Sequence, residues 1–403
     1  MSQQTLSPLK RSIVGVQFMF VAFGSTVLVP LLVGFDPAIA LLAAGLGTLL
    51  FHAVTGGKVP IYLGSSFAFI APIIKATELY GLSGMFCGLV AVGLVYILMS
   101  FLVKLFGVNF IKKLFPPIVI GPVIILIGLS LAGTGVDMAS KNWILALVSL
   151  FVAIICSCWG NGMIKLIPVV FGALAGYIVA VIFYRSSMDF SGVANAPWFQ
   201  LPHFSKMSLS WQAIVFMAPV AIAPIIEHVG DVYAISEIAG KDFVKDPGLH
   251  RTMLGDGLAC TLAAFLGGAP VTTYSEVTGA VSLTKVTDPA CMRIAALSAI
   301  LISLVGKVGA AIQTIPTAVL GGIMLLLFGS IASVGINNLV KAQIDMNKTR
   351  NLIIASLILT IGIGGAVISF GKFSLAGIGL ASVVGVILNL IIPDKKETEE
   401  VNS

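Results

Sequence analysis

Long apolar runs, broken by short polar or Gly/Pro-containing stretches, cover almost the whole chain. A helix needs roughly 20 apolar residues to cross a bilayer, and these runs divide into about fourteen such segments once short, broken ones are admitted. The pattern predicts a single polytopic, all-α membrane domain. Two stretches depart from it. "VPIYLGSSFAFIAP", residues 59–72, and "APVTTYSEVTGAVSLT", residues 269–284, are too short and interrupted to span as simple helices. Each holds a β-branched or aromatic run, Ile61-Tyr62-Leu63 and Val271-Thr272-Thr273-Tyr274, bounded by Pro, Gly or Ser, which predicts a short strand. Extended backbone at membrane depth is tolerated only where its polar groups are satisfied, so the two strands should pair with each other. A short helix should follow each, starting near Ser65-Ser66 and Ser275-Glu276. Its first N–H groups lack intrahelical acceptors and are offered to a solute oxygen.

The two stretches occupy corresponding places in the halves of the chain. Gly45-Leu46, Leu50 and Gly56 precede the first, and Gly257-Leu258, Leu262 and Gly268 precede the second. Paired, interrupted segments of this kind point to the binding site of a secondary transporter. Two long loops separate the apolar runs. Arg185 to Trp211 carries Trp198 and Phe199, suited to an interface, and "GKDFVKDPGLHR", residues 240–251, is charged and holds a Pro-Gly turn.

With 58% hydrophobic and 10% charged residues and a mean hydropathy of +1.07, a soluble core with a charged shell is excluded. Basic residues alternate in sidedness. Lys10, Arg11, Lys58, Lys104, Lys112, Lys113 and Lys165 fall on one face, together with the basic residues of 241–251, 285–293, 341–350 and 395–396. Lys75, Lys141, Arg185, Lys206, Lys307 and Lys372 fall on the other. The richer face is cytoplasmic by the positive-inside rule, so both termini are expected inside. This asymmetry accounts for the net charge of +6 without a nucleic-acid partner. The amino terminus has no removable signal pattern of its own, and its first apolar run is expected to be retained. The five cysteines lie in or beside apolar segments and read as small hydrophobes, with no metal or disulfide spacing.

Four carboxylates sit in apolar surroundings: Glu227 and Asp231 in "PIIEHVGDVYAIS", Asp256 in "MLGDGLAC", and Glu276. An ionisable group at membrane depth costs several kcal/mol and marks a functional position by default. Glu227 and Asp231, four apart, share a helix face. Glu227 and Glu276 lie beside a helix break or strand-helix junction, which favours function. For Asp231 and Asp256 a plain tie between helices is an equal alternative, and His228 reads as a satisfied packing histidine.

"YLGSSFAFI", "EHVGD", "KDPGLHR" and "TTYSEVTGAVSLTK", in this order, resemble the nucleobase-ascorbate transporter family, or nucleobase cation symporters, and within it the bacterial uracil permeases. The likeness runs from about Gln17 to Pro393. It implies fourteen transmembrane segments in two inverted repeats of seven, with segments three and ten as the strand-helix units. It also implies a core domain (about residues 12–106 and 211–314) and a gate domain (about 115–185 and 316–394). Carried over residue by residue, it makes Glu227 and Glu276 the substrate carboxylates and gives amide donors at Phe67 and Ser275, with Ser66, Tyr274 and Gly279 in support. Uracil's ring N–H groups need acceptors and its carbonyls need donors, which these groups supply. The implied mechanism is proton symport by alternating access at the bacterial inner membrane, with sodium the runner-up coupling ion, no other cofactor, and a homodimer admitted through the gate domain. Departures are specific. Uracil permeases of the family usually have His at Asp231, Gly at Ser275, His at Phe18, Asn at Val277 and Tyr at Phe328, whereas Asp231 and Asp256 match purine-transporting relatives. A xanthine or other purine symporter is therefore the first alternative. A sulfate- or bicarbonate-type anion transporter of related fold is the second, opposed by a carboxylate at a half-helix start. A membrane enzyme is the third class, and the chain lacks a His-Glu-x-x-His, Gly-x-Gly-Asp or Asp-Asp pattern.

Overall fold

The computed structural model describes residues 7–202, 204–370 and 373–393. Lys372, Lys395 and Lys396 of the charge pattern lie outside them. Helices of ten or more residues in the first half are α1 (Pro8–Val33), α2 (Pro37–Val54), α3 (Ile70–Phe106), α4 (Pro117–Ser130), α5 (Trp143–Trp159) and α6 (Pro168–Phe183). Those of the second are α7 (Ile222–Ala239), α8 (Leu249–Leu266), α9 (Ser275–Thr284), α10 (Pro289–Ser303), α11 (Thr317–Lys341), α12 (Thr349–Ile363) and α13 (Gly377–Ile391). Among the described residues six helical stretches are long and apolar enough to cross a membrane, and five more are apolar but shorter. The chain is a helical membrane protein.

Local signals set many of these boundaries. The Asp36 and Asp288 side chains cap α2 and α10 by accepting the N–H of Ala38 and Ala290, each 2.9 Å away, and a Pro opens both helices. Within α3, Gly81 has φ +71 and ψ 165, outside helical space, so α3 is two helices joined at a break that favours Gly. The amino-terminal piece follows directly from a 3-10 turn, Phe67–Phe69.

The expected strands form and pair. β1 (Leu63–Ser65) runs antiparallel to β2 (Val271–Thr273), with Gly64 opposite Thr272. β1 begins two residues later than Ile61. The Ile61 carbonyl is instead held by His52 Nε2 at 3.0 Å, and Leu63 N–H donates to Thr48 Oγ1 at 2.9 Å, so side chains of α2 satisfy the backbone that the ladder does not reach. A second antiparallel pair, β3 (Val367–Phe370) with β4 (Phe373–Ala376), is an element that the hydrophobic pattern did not announce.

Helices pack in two sets. α8 lies against α2 and α3, and α10 against α1 and α2; separately, α11 lies against α4 and α5, α5 against α6, and α12 against α4 and α13. α7 meets both sets, touching α8, α9 and β2 on one side and α4 and α13 on the other. The α3–α8 crossing is close because two glycines face each other: a Cβ on Gly257 would lie 2.9 Å from Gly93 O and 2.8 Å from Tyr96 Cβ. Gly257→Val is accordingly expected to destabilise the protein by about 1–3 kcal/mol, read as a lower melting temperature in detergent, since a backbone carbonyl has nowhere to retreat.

Ion pairs and a cation–ring contact join segments far apart in the sequence. Arg11 Nε pairs with Asp288 at 2.7 Å, and Lys58 pairs with Asp246 in the 240–251 loop. Lys307 Nζ donates to Val193 O at 2.9 Å and lies 5.6 Å from the Trp198 ring centroid.

Candidate functional site

The strand pair is the scaffold of the site. Because the strands are antiparallel, the 3-10 turn after β1 and α9 after β2 leave from opposite ends of the ladder, and both helix starts lie beside it. Phe67 and Ser275 are the first helical residues, so neither N–H has an intrahelical acceptor. Ser66 caps the first start, its Oγ accepting Ala68 N–H at 3.3 Å. Tyr274, buried at 6% exposure, sits at the cap position of α9. Its ring packs over the first strand: a Cβ on Gly64 would lie 3.5 Å from Tyr274 Cγ.

Three of the expected residues are joined directly. Ser275 Oγ lies 3.1 Å from Glu227 Oε1 and 3.0 Å from each oxygen of Asp231. Their spacing on α7 puts both acids on the face turned toward α9, as a separation of four residues requires. Glu276 follows in the first turn of α9, where the helix dipole favours a carboxylate. Phe67 closes another side, its ring edge-to-face with Phe328 of α11 at 5.9 Å and 89°. Both rings are nearly fully buried.

Asp256 is elsewhere. Its Oδ2 accepts two hydrogen bonds behind β2, from His228 Nδ1–H at 2.9 Å and from Thr273 N–H at 3.1 Å. His228 Nε2 reaches Thr252 Oγ1 at 3.0 Å. All three side chains are fully buried. This knot fastens α7, α8 and β2 together, so Asp256 holds the strand that leads to Ser275 and does not reach Ser275 itself. Asp256 Oδ1 has no hydrogen-bond partner among the described residues. Gly279 is exposed, with open space where a Cβ would stand, and the structure gives it no contact with the group. The sequence offers Asp256 as a helix tie and His228 as a satisfied packing histidine, but not that they meet each other and the Thr273 amide, which lie a helix away and a strand away. Phe328 was flagged only as a departure from a family pattern.

Among the described residues no cluster of three or more His, Cys, Asp or Glu side chains has the arrangement of a metal site. The site offers carboxylate acceptors, the N–H groups of two helix starts, and an aromatic pair.

The chain matches known proteins over nearly its full length. A model described as "Permease family" covers residues 9–370. A "Probable uracil permease" of Pasteurella multocida is 49% identical over 398 residues, 96% of this chain and 95% of that protein. The "Uracil permease" of Bacillus caldolyticus is 45% identical, covering 95% and 92%, and that of Escherichia coli K12 is 41% identical with the same coverage. Among solved structures, SLC26A9 superposes with a TM-score of 0.69 at 13% identity, covering 95% of this chain and 64% of that one. The transmembrane domain of the cyanobacterial bicarbonate transporter BicA gives 0.60 at 18% identity, covering 96% and 99%. Such low identities establish a shared fold and nothing about cargo, whereas the full-length matches establish kinship: the chain belongs to the permease family.

Proposed function

We propose that this protein is a secondary active uracil transporter of a bacterial inner membrane that imports its substrate together with a proton. Uracil transport follows from the full-length identity to several uracil permeases. The observation that carries the binding site is the convergence of Glu227 and the α9 start on one point, at Ser275. Glu227 and Glu276 accept from the ring N–H groups, the Phe67 and Ser275 backbone N–H groups donate to the carbonyls, and Phe67 with Phe328 covers the ring. Coupling follows if protonation of a site acid cancels a charge that would otherwise be costly to move past a low-dielectric gate.

The two packing sets support a core of residues 12–106 and 211–314 moving against a gate of 115–185 and 316–394. The break at Gly81 and the two strand-helix units allow the chain to be counted as fourteen segments in two inverted repeats of seven. The positive-inside pattern supports both termini in the cytoplasm. The Phe67–Phe328 contact crosses the proposed boundary between core and gate. Phe328→Ala should raise KM for uracil about fivefold, the equivalent of about 1 kcal/mol for an aromatic contact.

A purine carrier is the second reading, favoured by Asp231 in direct contact with Ser275. The anion reading suits the fold but not Glu276 in the first turn of α9, which would repel an anion there. The deciding experiment is uptake of labelled uracil and xanthine into proteoliposomes, with an imposed inward proton gradient and with that gradient collapsed. Gradient-dependent accumulation of uracil over xanthine is expected. Preference for xanthine or for an inorganic anion would move the substrate assignment, and indifference to the gradient would remove the proton.

A further inference from the structure

Ser275 Oγ is within hydrogen-bond reach of three carboxylate oxygens, one on Glu227 and two on Asp231. A serine hydroxyl has one proton to donate and lone pairs with which to accept, while an ionised carboxylate only accepts. If both acids were ionised, the hydroxyl would satisfy one, and the other would face oxygen lone pairs with no hydrogen between. The contacts close as hydrogen bonds only when one acid keeps its proton: its O–H donates to Oγ, and the serine O–H donates to the other carboxylate. Asp231 is 7% exposed, and among the described residues no Lys or Arg forms an ion pair with either acid. Both acids reach the same hydroxyl, so negative charge on the two together would also be opposed by their mutual repulsion.

We propose that Glu227, Ser275 and Asp231 hold one proton in common, and that the Ser275 hydroxyl passes it between the two acids. In the transfer, the Asp231 O–H bond breaks as its proton moves to Oγ, and the original serine proton moves to Glu227 as that O–H bond forms. The serine ends as the hydroxyl it began, and one negative charge has changed sides. Before this transfer, and again after its reversal, the proton rests on Asp231, one helical turn away, and Glu227 presents a bare carboxylate to a ring N–H. That use of Glu227 rests on the proposed function, but the shared proton does not.

The surroundings are defined. The other acids near the pair are Glu276 of α9 and Asp256 of α8, the latter already bonded to His228. The Tyr96 and Tyr274 phenols lie near Glu227 and the Cys260 thiol near Asp256, and the turn Val244–Gly248, which also packs on α7, carries Lys245 and Asp246. α4 and α13, which pack on α7 from the far side, carry no titratable side chain.

The test is an infrared pH titration of the full chain in lipid, without uracil. The native protein is expected to show the carbonyl stretch of a protonated carboxyl that persists through neutral pH. Glu227→Gln and Asp231→Asn should each shift its frequency and midpoint, since the acid that remains no longer shares its proton through Ser275, while Glu276 stays beside the site in both. Ser275→Ala should move it to the position of a less strongly bonded acid, and Ser275→Thr, which keeps the hydroxyl, should leave it in place. Monodisperse elution of each variant is the check on folding. Absence of the band in the native protein, an unchanged frequency and midpoint in Asp231→Asn, or indifference to Ser275→Ala would overturn the proposal. A second arm measures gradient-driven uracil uptake. In an Asp231→Asn background, adding Ser275→Ala should cause no further loss, because the relay has already lost its far end; full additivity contradicts the relay. Were uracil the wrong substrate, native uptake would be silent while the infrared result stood, so the two ideas fail separately.

Discussion

Glu276→Gln is expected to abolish uracil uptake while the protein remains in the membrane, and Glu227→Gln to do the same. The substitution keeps the side-chain volume and removes the charge. A hydrogen bond to an ionised acceptor contributes about 1.5–3 kcal/mol, so its loss corresponds to roughly tenfold to more than a hundredfold in affinity. Glutamine also offers an N–H where the ring offers its own, and one donor facing another replaces an attraction by a repulsion. The two sites differ in one respect. Glu227 shares Ser275 with Asp231, so its replacement also disturbs the proton arrangement, whereas Glu276 stands on the helix that carries the Ser275 amide. Uptake of labelled uracil, with equilibrium binding and size-exclusion elution on the same preparations, measures both effects. Normal uptake by either variant would sink the proposed binding site.

The second large effect is expected at Asp256. Its Oδ2 holds the His228 imidazole and the Thr273 amide at once, in a place fully closed to solvent. Asp256→Ala leaves both donors buried without an acceptor, and breaking a buried charged contact in this way costs about 3–5 kcal/mol. The outcome should be a large drop in melting temperature and in the amount of folded protein recovered from membranes. Asp256→Asn is milder, at about 1–3 kcal/mol: the amide oxygen can take both hydrogen bonds, and its NH2 group then falls where Oδ1 has no partner. Uracil binding by the Asn variant should survive, because Asp256 makes no contact with Ser275. A normal melting curve with lost uptake would instead assign Asp256 to coupling and overturn its reading as a tie.

Sequence and structure agree most closely where the physics is local. Apolar run length announces a membrane chain, and Asp-Pro at 36–37 and 288–289 opens helices because an acceptor and a preset φ act on the residues beside them. Two short β-branched runs between Pro and Gly or Ser foretell strands, since at membrane depth such backbone must find another like it. The pairing of Glu227 with Asp231 on one face follows from helical period alone. The β3–β4 pair escaped because a short, half-exposed strand pair leaves little mark on a pattern read for spanning helices.

The sequence by itself thus determined the solvent of this protein, its principal elements, its kinship and which acids stand in unusual places. Only the tertiary structure decided what those acids do to one another. Asp231 and Asp256 were alike on paper, each a carboxylate in an apolar helix that a plain tie between helices would explain. Folding brings the first to the Ser275 hydroxyl beside Glu227 and the second to a histidine and a strand amide behind the site. Those partners lie 44 and 48 positions from Ser275 and 28 positions between His228 and Asp256. Hydrogen bonds act over about 3 Å, so separations of that kind are set by how helices cross, and at the α3–α8 crossing the distance depends on two glycines that let the backbones touch.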